Sequence, residues 1–155
     1  MTGTILVAVV GLAGIVATFF APTWTTTKLE RRREKREFRR ASRLIASELM
    51  AIGVYSGFLA ESGIAPDLEP EAQARALPMR DWLEHRAVLA TALDDNAWGY
   101  IDAIYLGAEN VRFIVFVDME PGTRFSEKTI ELLQGLRQRA ERARATLLKA
   151  QPLLD

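Results

Sequence analysis

The sequence contains no cysteine, a single histidine, and no charged side chain before Lys28. The missing cysteine excludes disulfides, thiolate nucleophiles and cysteine-based metal sites. It also fits a reducing compartment. The single histidine, His85, lies four residues after Asp81, which places both on one helical face. A metal site needs a third ligand, and Glu84 falls on a different face, so His85 is expected to be an exposed or hydrogen-bonded side chain. Glycine-rich phosphate loops are missing too: Gly99, Gly107 and Gly122 fit none of the known spacings. Asp94 and Asp95 would suit acid–base chemistry as a pair, but they sit between two helical segments and read as a helix cap. Ser126 lacks a neighbouring base and also reads as a cap. The chain is therefore expected to have no catalytic residues, cofactor or metal, and not to be an enzyme.

What is present is concentrated at the start. Ile5 to Ala21 is apolar except for Thr18. About 17 to 25 apolar residues cross a bilayer as a helix, so this run is long enough. Ile5, Leu6, Val10, Leu12, Ile15, Phe19 and Phe20 form the expected anchor, and Trp24 stands where an interfacial aromatic belongs. A cleaved signal peptide would carry its positive charge before the apolar run and small residues at a cleavage site. Here the charge follows, and Phe19, Phe20, Pro22 and Trp24 crowd the end. Ala13, Ala17 and Ala21, with Gly11 and Gly14, form a small-residue face that permits close approach of a second span.

Residues 28 to 43 hold nine basic and three acidic side chains, a net +6; residues 44 to 155 sum to −6, so the formal charge of zero conceals two oppositely charged segments. Arg31, Arg32, Arg33, Arg36, Arg39 and Arg40 are the candidate contacts to anionic lipid headgroups, at about 1 kcal/mol each close to the surface. Their place beside the span favours lipid over nucleic acid. By the positive-inside rule the chain is expected in the plasma (inner) membrane with a single pass, its N-terminus outside and its C-terminus cytoplasmic.

The expected organisation is all-α. Residues 1–26 make a transmembrane helix and linker, 27–43 the start of a long basic amphipathic helix, and 44–155 an acidic cytoplasmic bundle of about four helices. Pro22 and the threonines after it predict a kink or break at residues 21 to 26. Thr27 and Glu30 have the spacing of a capping box that would restart the helix. From Phe38 an apolar stripe repeats every seven residues through Ile45, Ile52 and Leu59. The repeat also suits a parallel coiled coil, but Leu44, Met50, Val54 and Phe58 broaden it towards the wide face of a bundle helix. Ser62-Gly63 closes this helix, and Pro66, Pro70 and Pro78 mark a loop with one helical turn near residues 71 to 76. A second helix fits residues 79 to 93, with Trp82, Leu83, Val88 or Leu89, and Leu93 inward. A third runs from Ala97 through Trp98, Ile101, Tyr105 and Ala108. Its continuation, Val111 to Val117, has strand composition, but the preceding pattern favours helix. After Pro121-Gly122 a fourth helix carries Ile130, Leu133, Leu136, Ala140, Ala143 and Leu147 on one face.

Trp82, Arg86, Leu89 and Ala90, then Leu93 and Trp98, then Tyr105 have the cadence of a recurring pattern. In these positions the chain resembles uncharacterised actinobacterial single-pass membrane proteins with an Arg-rich juxtamembrane helix and a C-terminal helical domain. Ile104 stands where that pattern usually has Ala. The resemblance implies location and fold, and no activity. The opening plan of span and charged helix is also similar to the b subunit of F-type ATP synthase, but that subunit continues as one helix and lacks the prolines found here between 66 and 78.

The expected function is that of a membrane-tethered scaffold or adaptor domain binding an unknown protein partner, with homo-oligomers possible. The alternative is a sensor that takes a small apolar ligand among the bundle aromatics. An apolar cavity would favour the sensor, and a filled core with an exposed apolar patch the scaffold. The orientation is directly testable: a phosphatase that works only when exported, fused after Asp155, should be inactive. Strong activity would reverse the topology.

Overall fold

A computed structural model describes the backbone of residues 2–150 and the side chains of residues 28–149. It comprises α1 (Thr2–Ser62), α2 (Pro70–Ala76), α3 (Arg80–Ala92), α4 (Asp95–Phe113), a π-helical turn (Ile114–Asp118) and α5 (Glu127–Ala150). No strand occurs among the described residues. The chain divides into two compact units, Met1–Glu37 and Phe38–Asp155.

In the first unit α1 is continuous through Pro22 and Thr27. This corrects the expected break at residues 21 to 26 and makes Thr27 an interior helical position. Pro22 has no N–H to donate and so removes one bond of the helical ladder. The anchor side chains Ile5, Leu6, Val10, Leu12, Ile15, Phe19, Phe20 and Trp24 lie outside the described side chains. Arg31, Arg32, Arg33 and Arg36 are exposed. Arg33 donates to Glu37 at 3.0 Å, one helical turn on.

In the second unit the heptad stripe of α1 is the centre of the core. Phe38, Ile45, Ile52 and Leu59 are buried, with Leu49 beside them. Their own domain covers them, so this stripe is not the seam of a coiled coil. From α4 come Ile101, Ile104, Tyr105, Ala108 and Val111; from α5, Leu133, Leu136, Ala140, Ala143 and Leu147. The described part of α1, Lys28–Ser62, includes a stretch long and apolar enough to cross a membrane by length and composition, yet half of that stretch is buried inside the protein. Burial at Ile45, Leu49 and Ile52 identifies it as the core helix of the bundle.

The local signals act as their chemistry dictates. Gly63, at φ 68°, ends α1, and its N–H donates to Leu59 O at 3.0 Å; a left-handed residue after the last turn is the usual use of glycine. Asp94 caps α4 by accepting from Ala97 N at 2.9 Å. Ser126 caps α5 by accepting from Thr129 N at 3.1 Å. The loops after α1 and before α5 clasp each other in a short antiparallel bridge, with Ala65 N to Thr123 O, Gly122 N to Ala65 O and Phe125 N to Gly63 O all at 2.8 Å. The strand-like composition of Val111 to Val117 is helical in the fold. Its second half widens into the π-turn, with Val115 buried and Phe113 and Val117 exposed.

Three expectations about burial and extent are corrected. Met50, Val54 and Phe58 are 49%, 68% and 57% exposed, so the wide face of α1 is not covered by its own bundle. Leu83 is exposed, since one residue beyond buried Trp82 turns it by about 100°. The single turn expected near residues 71 to 76 is a complete short helix, α2.

Helix α1 passes close to α5 at Gly53. A Cβ there would lie 3.6 Å from Arg137 O and 3.7 Å from the Ala140 Cβ, which is ordinary van der Waals contact. Gly53→Ala should therefore stabilise the domain by about 0.5–1 kcal/mol through helix propensity. Gly53→Leu should destabilise it by about 1–3 kcal/mol by forcing the two helices apart. Thermal melts of the pair check this; equal melting temperatures would show that the helices are not in contact at this point.

Candidate interaction surfaces and the buried polar centre

The residues capable of chemistry converge beneath α3. Helix α3 begins at Arg80 after Met79, which offers no side-chain cap. Glu48, from the C-terminal part of α1, supplies one. Its Oε1 accepts from Asp81 N at 2.7 Å and its Oε2 from Trp82 N at 2.9 Å. The second oxygen also accepts from the Tyr105 hydroxyl of α4 at 3.1 Å. A carboxylate at a helix N-terminus is favoured by the orphan N–H groups and by the helix dipole. Glu48 is 5% exposed, so it has exchanged water for three donors.

Aromatic rings close over this centre. Tyr105 stacks on Trp82 at 4.6 Å between centroids, with 7° between planes, and Trp82 stacks on Trp98 at 4.8 Å and 25°. Burial holds the Tyr105 hydroxyl far above the ordinary tyrosine range, reinforced by the charge and hydrogen bond of Glu48 and by the charge of Asp81. Trp82, Leu89, Trp98 and Tyr105, which carry the family-like cadence, are thus packing residues here. The stack leaves the aromatics filled by one another.

The other chemical candidates stay apart. His85 is largely covered, and its Nε2 lies 3.8 Å from Glu84 Oε1, correcting the expectation that Glu84 faces elsewhere. No group of three metal-ligating side chains occurs among the described residues. Asp94 and Ser126 serve as caps.

Two surfaces remain. The first is the outward face of α1, with Met50, Val54 and Phe58 exposed. It continues onto the π-turn: Tyr55 meets Phe58 at 6.0 Å and Phe116 at 6.4 Å, and exposed Phe113 and Val117 flank Phe116. The Tyr55 hydroxyl is buried without a hydrogen-bond partner, and burial raises its pKa. Periodicity placed these residues on helices, but no local signal marks them as left uncovered by the bundle. The second surface is an apolar groove of about 290 Å³ between α4 and α5. Ala103, Leu106, Gly107, Leu132 and Leu136 line it, with Asn110 and Arg139 as its polar groups. In the second unit Arg40 and Arg43 are exposed, and Arg39 is partly covered.

Comparison with known proteins finds no matching family model, no related curated protein and no similar solved structure.

The Glu48 centre makes a pH prediction. A tyrosine whose folded-state pKa is raised favours the protonated fold. Its contribution is complete below the unfolded value of about 10 and declines as pH rises above it. Denaturation of the parent should therefore ease progressively above about pH 10. Tyr105→Phe should cost about 1–3 kcal/mol at neutral pH, from the lost bond to a charged acceptor, and should flatten the alkaline decline. An unchanged alkaline slope in that variant would mean Tyr105 is not the group responsible.

Proposed function

We propose that this chain is a membrane-tethered helical interaction module. The apolar run from Ile5 to Ala21 spans the inner membrane. Arg31, Arg32, Arg33, Arg36, Arg39 and Arg40 lie on the cytoplasmic side near anionic headgroups, and the helical domain presents the outward face of α1 to a protein partner. One observation carries the reading: a domain with a filled aromatic core leaves Met50, Val54 and Phe58 uncovered in a row. Exposed apolar residues that are contiguous and rimmed by charge mark interaction sites, whereas scattered ones do not.

The groove between α4 and α5 favours a second reading, a sensor for a small apolar ligand. Its volume of about 290 Å³ is at the low end for small-molecule sites. Gly107 lines it, and a Cβ there would meet Leu136 Cδ1 in ordinary contact at 3.4 Å. The sensor would bind at this groove and not among the aromatics, which fill one another's space.

The full chain should sediment with membranes and resist alkaline carbonate, while a chain lacking residues 1–26 should be released. Release of the full chain would remove the tether. On the domain, Val54→Ser combined with Phe58→Ser should leave thermal stability nearly unchanged, within about 0.5 kcal/mol per site for exposed positions, and should reduce the size of the detergent-extracted particle. A large drop in stability would show that these side chains belong to the core.

A further inference from the structure

Helices α4 and α5 run antiparallel along the groove between them. Tyr100, near the start of α4, donates its hydroxyl to Arg139 O, halfway along α5, at 3.4 Å. Gly107, two turns further along α4, faces Leu136, earlier in α5. The groove therefore has two different ends. Arg139 stands at one, beside the Tyr100 bond, and Asn110 at the other. Between them the lining is small or apolar, with Ala103, Leu106 and Gly107 on α4 and Leu132 and Leu136 on α5. None of the lining side chains is acidic. Leu106 is 57% exposed, so one bank of the groove is an uncovered leucine.

The cation at the end of the groove is held in place but only partly used. Its Nε donates to Gly135 O, one turn back, at 3.2 Å. That bond ties the guanidinium to its own helix, while the two Nη groups have no hydrogen-bond partner among the described residues. A guanidinium presents its donors as a planar fork, and a carboxylate matches it with one negative charge and two coplanar oxygens. The groove also has a definite length. Ala103 to Asn110 covers about 10 Å of helix, and about 290 Å³ spread over that length gives a cross-section of about 29 Å², room for one alkyl chain lying lengthwise.

We infer that the groove takes a medium-chain fatty carboxylate, its head on Arg139 and its tail along Leu136, Leu106 and Leu132 towards Asn110. A chain of about eight carbons has the required reach of about 10 Å. This rests on the second reading above, the groove as a ligand site, and names the chemistry of the ligand. Burial of the chain supplies affinity, and the single guanidinium fixes which way round the molecule lies. Asn110 limits the length, because a longer tail must pass a polar amide. A membrane phospholipid fits less well, since its two chains need twice the cross-section.

The absence of cysteine makes occupancy measurable, because one introduced thiol is the only one present. Ala103→Cys places it in the groove, and Ala145→Cys, exposed on α5 outside the lining, is the control. Full-length chains in neutral phosphatidylcholine nanodiscs are labelled with a maleimide while octanoate, octanol or octylammonium is added, compared at equal free concentration. Octanoate should slow labelling of Ala103→Cys severalfold and leave Ala145→Cys unchanged. Octanol should protect only at higher concentration, and octylammonium not at all. Adding Arg139→Gln should raise the half-protecting octanoate concentration by about threefold to thirtyfold, with the octanol curve and the melting temperature unchanged. Equal protection by octanoate and octanol, or no effect of Arg139→Gln on octanoate, would keep the groove as a ligand site and overturn the carboxylate assignment. Protection by none of the three would overturn both. Protection in phosphatidylglycerol nanodiscs with nothing added would give the groove to membrane lipid and overturn the inference as well.

Discussion

The carboxylate of Glu48 ties three helices together. It comes from the C-terminal part of α1, accepts from two free N–H groups in the first turn of α3, and accepts from the Tyr105 hydroxyl of α4. Removing it would strand two buried donors, Trp82 N–H and the Tyr105 hydroxyl, at about 1–3 kcal/mol each when left unsatisfied, along with the partly buried Asp81 N–H. The donors are also what permit the carboxylate to be buried, because an ionised group without partners would not tolerate the interior. The Tyr105–Trp82–Trp98 stack covers this centre and fixes the azimuth of α3 about its axis. The other elements take their places from it: α4 follows from Tyr105, and the far side of α1 is then left for α5.

That side is built for close approach. Gly53 brings α1 against the α5 backbone at Arg137, and Ala140 and Ala143 are fully buried. The guanidinium of Arg137 lies along Gly57 and bonds Glu61 and Glu141 at 3.2 Å each. These exposed pairs orient Arg137 and contribute little energy. Ser42 and Ser56 are buried with no hydrogen-bond partner. Their small volume is accommodated, and the unsatisfied hydroxyls are a standing cost to the fold.

Once the inner and α5-facing sides of α1 are used, one face is left. Its exposure is a consequence of bundle geometry, since the remaining helices are committed to the Glu48 centre and the α4–α5 packing. The result is a domain with a firm interior and an uncovered apolar strip, the arrangement expected of a module that associates. In the proposed reading, the apolar opening segment and the arginines after it account for placement at a membrane, and the strip accounts for what the domain would do there.

The helical character, the two-residue stops and the caps of α4 and α5 were legible in the sequence, because each rests on local chemistry. Asp94 and Ser126 satisfy nearby N–H groups, Gly63 supplies a left-handed residue, and the seven-residue repeat from Phe38 to Leu59 places a core stripe. The identities of Ile45, Ile52, Leu133, Leu136 and Leu147 as buried residues followed from periodicity alone. The continuity of α1 through Pro22 did not follow, since a proline signal is local and the helix is cooperative. Nor could the sequence reveal that Met50, Val54 and Phe58 stay exposed, or that a glutamate on α1 caps a helix 33 residues away. A hydrophobic face is a property of one helix, while its burial depends on whether another helix arrives. Tertiary structure decided the partner of Glu48, the filling of the aromatics by one another, and the uncovered strip, because each depends on distances between segments far apart in the chain.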